Sequence, residues 1–548
     1  MKPFLITEAK LERYTQKGYW GLPTLVEVFE KNAALYPNKE LFVDSTTRST
    51  FSEAKRCVDR LALGLLDLGF KKDDVLVVQL PNMVESALLR LAAPSAGVLP
   101  LLIMSVFSDN EVRHILSKSE ARGIVIPWKL GDRDYVQMVQ EMRRQLPSLE
   151  HVFVVGDEVP AGCVSVTAMM QRPIERDFPA DYLKDSGIST WEIQELQTST
   201  GSTGLPKLSE AFGWNQLLGS QISRAWELAE SDVVGLLTPF PGGISNNGWT
   251  GALTRPCKLA FLEKFSPTEA LKFIEKERVT ILIGVPAIGE MLVRVEDLGR
   301  YDLSSLRLYF TAGAPMPPSL AKEIEEKMGC TVAGLLGSID FGPISIASLE
   351  DPEHFRRTSV GKALPGNELR IINEKGEDVP AGGEGELICR GPYSFTGYYK
   401  MPEATLEMYG GDKDGWCRTG DLARIDADGY LYIVGRLKDV IKRGAMSIAP
   451  SEIEDMLRTH PKVKEVAVAG MPDPILGEKV CAFVIPESGA SLSLEALVSF
   501  LREKRIATFK LPERLEIVDE FPMVGGQKIS KKALTELVTA KLKEEGRI

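Results

Sequence analysis

Residues 196–210, LQTSTGSTGLPKLSE, hold three threonines, three serines and two glycines around the single cation Lys207. Small hydroxyl residues set between glycines can turn several backbone N–H groups and side-chain oxygens toward one point, and a lysine adds a point charge. That combination suits a polyphosphate. Rival phosphate motifs fail on spacing. GxxxxGK[ST] is absent, Gly201 and Gly204 do not supply the GxGxxG of a dinucleotide site, and no HRD or DFG segment follows as in a kinase. Taken alone, the stretch reads as a phosphate loop or as an ordinary surface loop. Lys528, met alone in GGQKISKKAL, is one of three lysines in a basic patch and reads as solvated surface.

The elements that would hold such a loop follow from periodicity. From Phe51 to Phe310, helical periods alternate with short β-branched runs, the pattern of βα units on a largely parallel sheet. Helix-like FSEAKRCVDRLALGLLDLG precedes DVLVVQL, ESALLRLAAPSAG precedes VLPLLIM, and ARGIVIP, VTILIGVP and LRLYFTAGAP follow as strands. The fold class is therefore α/β. After Gly361 the texture changes to short strands joined by Gly and Pro turns, as in NELRIINEKGEDVPAGGEGELICRG and GYLYIVGR, which predicts a small β subdomain. Beyond Arg436, the strands VKEVAVAG and KVCAFVIP and the helix SLEALVSFLREKRI predict a compact α+β unit, with Ser451 and Glu454 at capping-box spacing for one of its helices.

A chain of 548 residues is too long for one core, and 44% apolar content is ample for several. With 65 Lys and Arg against 76 Asp and Glu, the net charge is −11 and spread along the chain, which argues against a nucleic-acid binder. MKPFLITEAKLERYTQKGYW lacks the apolar core of a signal peptide and no apolar run reaches membrane-span length, so a cytoplasmic protein is expected. The seven cysteines, 57, 163, 257, 330, 389, 417 and 481, form no CxxC and are expected as small buried hydrophobes rather than a disulfide framework or zinc site.

The companions of the loop make the case. TSTGSTGLPK resembles the phosphate-binding signature of the adenylate-forming (ANL) superfamily of acyl- and aryl-CoA synthetases, peptide-synthetase adenylation domains and luciferases. In family order come TAGAPMP (311–317), similar to the adenine-side segment, and LLGSIDFG, where the family has YGxTE. GWCRTGDLARIDADGYLYIVGRLKDVIKRG (415–444) and GGQKISKKAL, which resembles the terminal GKIxKxxL, complete the series. The resemblance spans nearly the whole chain, and within the family it leans toward aryl-acid ligases such as 2,3-dihydroxybenzoate-AMP ligases and benzoate-CoA ligases.

Membership implies a large N-terminal domain of stacked, mainly parallel α/β subdomains with a β-barrel-like subdomain, residues 1–436, and a mobile α+β lid, residues 437–548, hinged at Lys438. It implies ATP-dependent adenylation of a carboxylic acid with Mg²⁺, AMP release, and a thioester with coenzyme A. Thr198, Ser199, Ser202, Thr203 and Lys207, with the amides of Gly201 and Gly204, would hold the β- and γ-phosphates. Gly313, Ala314 and Pro315, with Gly337, Ser338 and Ile339, would flank the nucleotide, and Asp340 would bind the metal. Asp421 would accept from the ribose hydroxyls, with Ile433 and Arg436 beside it. Lys528 would bridge carboxylate and α-phosphate during adenylation, and lid rotation would then bring Gly444 and Ala445 to the thiol channel.

Departures border the expected site. Leu336 and Ile339 replace the tyrosine and threonine of YGxTE, Asp340 is a methylene shorter than the family's glutamate, and Gln527 stands where glycine usually precedes the lysine. In TPFPGGISNNGWTG, Gly242 takes the place of a histidine that many relatives carry, and all four histidines (114, 151, 354, 460) lie elsewhere. Gly242 and Gly243 leave room, Phe240, Ile244 and Trp249 keep walls apolar, and Asn246 and Asn247 offer polar contacts, which together predict a compact aromatic or alicyclic acid. The bland reading of this stretch is a glycine-rich flexible loop. The thiol acceptor stays open between CoA, for which Lys442, Arg443 and Lys479 are compatible cations, and a carrier protein's phosphopantetheine arm. A non-catalytic nucleotide-binding descendant is opposed by the joint presence of Lys207, Asp421, Arg436 and Lys528. Flux direction and a homodimeric assembly are left open.

Overall fold

The computed structural model describes residues 1–179, 181–198, 205–394, 396–410, 415–443, 446–504, 506–524 and 528–547, and at 447, 524 and 528 the backbone alone. The chain divides into two compact units, residues 1–368 with 389–417, and residues 369–388 with 418–548.

The first unit is built on two large sheets. In strand Val75–Val78, VLVV, every residue is buried, and alternate side chains enter different cores: Leu76 and Val78 one, Val75 and Val77 the other. The same split occurs in Ile281–Gly284, where Ile281 and Ile283 face one way and Leu282 the other. A strand wet on one face would alternate apolar with polar; these read as unbroken apolar runs because helices cover both sides. The shared core between the sheets holds helices such as Phe51–Asp67, Val84–Ser95 and Gly243–Thr254. Phe51–Asp67 starts where Thr50 caps the Glu53 N–H and Glu53 bonds back, a reciprocal cap.

The nine-stranded sheet runs in the order Lys362–Ala363, Gly342–Ile346, Thr331–Ser338, Leu308–Thr311, Ile281–Gly284, Val233–Leu236, Lys258–Phe261, Glu40–Val43, Arg48–Thr50. Strand Val233–Leu236 pairs in parallel with Lys258–Phe261 on one side and Ile281–Gly284 on the other. The chain thus leaves this strand toward one edge and returns on the opposite side, a topological switch point, outside whose carboxyl ends α/β sheets bind ligands. The segments 237–242, 285, 312–317 and 339–341 all leave the carboxyl ends of these parallel strands.

In the seven-stranded sheet, Leu208–Phe212 forms the edge, paired antiparallel with Ile193–Thr198, with Thr198 opposite Leu208. The hydroxyl-rich loop is therefore the connection of an edge hairpin. A short segment adds to that edge: the Glu210 N–H donates to the Gly397 carbonyl at 2.9 Å and the Tyr399 N–H to the Leu208 carbonyl at 2.7 Å.

The second unit carries most of the four-stranded sheet Glu368–Ile372, Gly385–Arg390, Cys417–Ile425, Leu431–Arg436, and a five-stranded sheet centred on the long pair Val463–Asp473 and Gly477–Pro486. In that pair Val466, Val468, Val480 and Val484 pack on helices Pro450–Leu457 and Leu494–Glu503, while Ala467, Ala469, Cys481 and Phe483 pack on helix Lys531–Glu544. The expected capping box at Ser451 and Glu454 does not form. Pro450 opens the helix, Ser451 bonds the Val434 carbonyl, and buried Glu454 accepts from the Val468 N–H and from Lys531 at 2.8 Å. Tertiary partners outbid a local cap. Cysteines 257, 330, 389, 417 and 481 are buried, Cys57 and Cys163 are partly buried, and all seven are free thiols. Among the described residues no helix is long and apolar enough to cross a membrane.

Candidate active site

The first cluster gathers at the hairpin end. Lys207, one residue before strand Leu208–Phe212, sets its ammonium 4.5 Å from the centre of the Tyr398 ring. The Tyr398 hydroxyl donates to Asp340 Oδ1 at 2.8 Å. The Ser209 hydroxyl donates to the Ile339 carbonyl at 3.0 Å, which ties the turn after Ser338 to the hairpin. A Cβ placed at Gly243 would lie 3.6 Å from Ile339 Cγ1, so the switch-point loop adjoins the same turn. Burial first, and then Asp340, push the Tyr398 phenol up, so it keeps its proton and acts as a donor. His114 lies 3.1 Å from the Pro206 carbonyl, which can only accept, so its Nε2 carries the proton.

The remaining sequence-predicted residues are distributed over the two units or lie outside the described residues. Thr198 ends its strand and is buried. Ser199, Gly201, Ser202, Thr203 and Gly204 lie outside the described residues, as do Gly444, Ala445 and Gln527. Gly313, Ala314 and Pro315 are exposed just past strand Leu308–Thr311; Gly313 takes φ +83°, a left-handed turn that a side chain would strain. Gly337, Ser338 and Ile339 are half-buried, and the Asp340 N–H donates to Ser338 Oγ at 3.1 Å.

The acyl-side residues adopt a more ordered form than a flexible loop. Gly243–Thr254 is a helix, with Asn246 and Trp249 inside it. Phe240 and Trp249 are buried and flank the guanidinium of Arg90, 5.3 and 5.1 Å from their ring centres. Arg90 is itself buried, forks onto Glu195 at 2.8 and 2.7 Å, and donates to Asn246 Oδ1 at 2.6 Å. The Asn246 oxygen is thus engaged by Arg90, and Asn247 donates back to the carbonyls of Gly243 and Ile244. Gly242 and Ile244 are half-buried at the helix start.

In the second unit, Asp421 and Arg436 face each other across paired strands, with Arg436 Nε 2.8 Å from Asp421 Oδ1. The Asp421 side chain is 3% exposed, unlike a solvent-exposed surface pair. Thr419 anchors it: its hydroxyl accepts from the Asp421 N–H at 3.0 Å and donates to the Leu387 carbonyl at 2.8 Å. Cys417, Thr419, Asp421 and Ala423 are buried in alternation along their strand, which turns the carboxylate inward, and Gly420 takes φ +69°. Ile433 pairs with Ala423 beside it. Lys438 is exposed in the short turn Leu437–Asp439. Lys528 lies in a two-residue strand paired with Val524, and its side chain is outside the described residues. Lys442, Arg443 and Lys479 pair with Glu374, Glu513 and Asp473 at 3.2, 2.8 and 2.8 Å.

A cation beside a hydroxyl-rich hairpin and a carboxylate on the adjoining turn would suit a polyphosphate and a divalent ion. Among the described residues Asp340 Oδ2 takes no hydrogen bond, and no group of three or more ligating side chains exists. One carboxylate fits magnesium, which keeps waters and substrate phosphates in most of its shell. Sequence reading missed three participants: Tyr398, Arg90 and His114. None stands in a motif, and each is brought in from a distant segment.

Comparison with known proteins agrees with this chemistry. The family described as AMP-binding enzyme matches residues 29–399, and its C-terminal domain matches residues 452–528. A 2,3-dihydroxybenzoate-AMP ligase of Bacillus subtilis is 33% identical, over 97% of this chain and 96% of its own. A salicylyl-CoA synthase / salicylate adenylyltransferase of a Streptomyces species is 31% identical, over 97% and 96%. The crystal structure of an anthranilate CoA ligase in complex with anthranoyl-AMP superposes with a TM-score of 0.83 at 24% identity, over 95% of this chain and 98% of that one.

Proposed function

The chain belongs to the AMP-binding, adenylate-forming enzymes of the aryl-acid and acyl ligase type, and from that premise we propose that it activates a compact cyclic carboxylic acid and passes the acyl group to coenzyme A. In the first step a carboxylate oxygen attacks the α-phosphorus of ATP, the bond to the β-phosphate oxygen breaks, and pyrophosphate leaves. In the second the CoA thiol attacks the acyl carbonyl, AMP departs with the bonding pair, and the thiol proton is released.

Lys207 and the hairpin hydroxyls hold the outgoing phosphates, where charge accumulates as the α–β bond lengthens. Asp340 would hold magnesium, which supplies charge neutralisation on the phosphates when bound. Asp421 orients the ribose, a task for which a buried carboxylate paired with Arg436, on a backbone held by Thr419, is suited. Gly313, Ala314 and Pro315 flank the base. Lys528 donates to the reacting carboxylate and α-phosphate, on a lid of residues 437–548 that turns at Lys438 and brings the segment at Gly444 and Ala445 into use for the thiol. The reading places the enzyme in the cytoplasm, where ATP and CoA are held.

The observation that carries the reading is the convergence of Lys207, Tyr398 and Asp340 at the mouth of a hydroxyl-rich hairpin. Support for a ring acid comes from the aryl-acid relatives and from Gly242 and Gly243, which leave the wall of the switch-point loop without side chains. A second reading, transfer to a carrier protein's phosphopantetheine thiol, is favoured by the AMP ligase at 33% identity. Acid-dependent pyrophosphate–ATP exchange tests the first step, over benzoate, hydroxybenzoates, aminobenzoates, cyclohexane carboxylate and linear fatty acids. Exchange with ring acids and thioester with free CoA are expected. A preference for long linear acids discards the substrate class, and adenylate without thioester on adding CoA favours the carrier.

A further inference from the structure

Tyr398 is fixed at four points. Its backbone bridges Ser209 on the hairpin edge, its N–H donates to Thr405 Oγ1 at 2.8 Å, its hydroxyl donates to Asp340 Oδ1 at 2.8 Å, and its ring is 2% exposed. The neighbouring Tyr399 points the other way, into a separate core. A ring so constrained has little rotamer freedom, and its two polar features address two different parts of the proposed site. The negative ring face holds the Lys207 ammonium 4.5 Å from its centre, an arrangement that attracts cations electrostatically. The hydroxyl occupies one oxygen of Asp340, which leaves Oδ2 as the oxygen for a metal.

We propose that Tyr398 is a positioning residue that sets the phosphate cation Lys207 and the metal-binding carboxylate Asp340 on one rigid platform, so that a magnesium–nucleotide meets both already placed. The inference rests on the adenylating reading above and adds to it a residue that touches neither phosphate nor metal. Groups that hydrogen-bond a ligating side chain orient it, and losing one lowers metal affinity roughly 10- to 100-fold. The two halves of the platform separate by substitution. Tyr398→Phe keeps the ring under Lys207 and removes the hold on Asp340; Tyr398→Leu removes both.

The test is ATP binding by titration calorimetry on the full chain, in EDTA and across a magnesium series. In Tyr398→Phe, ATP affinity in EDTA should stay within about twofold while the magnesium concentration for half-maximal enhancement rises roughly 10- to 100-fold. Tyr398→Leu should weaken binding in both arms. In an Asp340→Asn background, adding Tyr398→Phe should change ATP affinity with magnesium by less than about twofold, because the partner through which it acts is gone. A Tyr398→Phe protein with the parent's magnesium response overturns the inference, as does an equal loss in both arms or an undiminished effect in the Asp340→Asn background. A parent protein whose ATP binding ignores magnesium overturns the adenylating reading as well; a responsive parent with an unchanged variant overturns the Tyr398 role alone.

Discussion

Arg90 shows what a single residue contributes that spacing conceals. Its guanidinium is taken out of water and given a forked carboxylate and an amide oxygen from positions 105 and 156 residues away, with two aromatic rings from Phe240 and Trp249. A buried pair of this kind is weak evidence for stability in itself, but removing one partner leaves an uncompensated charge at about 3–5 kcal/mol. Glu195→Leu should therefore lower the melting temperature sharply, while Arg90→Met combined with Glu195→Leu should recover most of the loss. A double variant as unstable as the single one would show that the pair matters for more than mutual neutralisation. Arg90, like Tyr398, was invisible in the sequence because its neighbours are set by packing of a helix on a strand and not by any local motif. Lys207, Asp340, Asp421 and Arg436 could be proposed from sequence because each stands in a short segment that resembles a family motif.

Among elements, the hairpin Ile193–Thr198 and Leu208–Phe212 carries a group that makes it sensitive to pH. Glu210 lies inward on the second strand, where the Phe4 N–H reaches its Oε2 at 3.3 Å, and burial pushes its carboxyl from 4.5 up to about 7. The fold binds this proton more tightly than the unfolded chain does, so the group costs nothing below about pH 4.5. Stability falls as pH rises from 4.5 to 7, and above 7 the full cost, about 3 kcal/mol, is present. Glu210→Gln should remove that part of the slope: the gain in melting temperature over the parent should be larger at pH 8 than at pH 5, and an equal gain at both contradicts the assignment. Strands such as Val75–Val78 and Ile281–Gly284 were legible from periodicity, since strands buried on both faces leave unbroken apolar runs. The capping box at Ser451 was misread because capping competes with partners from other segments, and the loop alternative for 242–251 gives way to helix Gly243–Thr254 because its asparagines and most of its glycines are buried against neighbouring helices and strands.

For the whole molecule, the two compact units are the relevant division, and the adenylating lysine is proposed on the second. Lys528→Ala should reduce acid-dependent pyrophosphate exchange by about 10² to 10³, on the order of 3–4 kcal/mol, as for one transition-state donor. The same variant should still convert a supplied acyl adenylate to thioester, measured as CoA consumption. Equal loss in both half-reactions would remove the case for a lid that presents different residues in the two steps.

By itself the sequence determined the α/β class, the family and the residues proposed to face nucleotide, because apolar period and short glycine-rich motifs are local properties of the chain. Tertiary structure alone decided that Tyr398 joins Lys207 to Asp340, that Arg90 with Glu195 stands behind the acyl-side helix, and that the loop after Val233–Leu236 opens at the switch point. Those facts depend on strand order and on contacts between segments far apart in sequence, and no local pattern encodes which distant side chain will fill a given space.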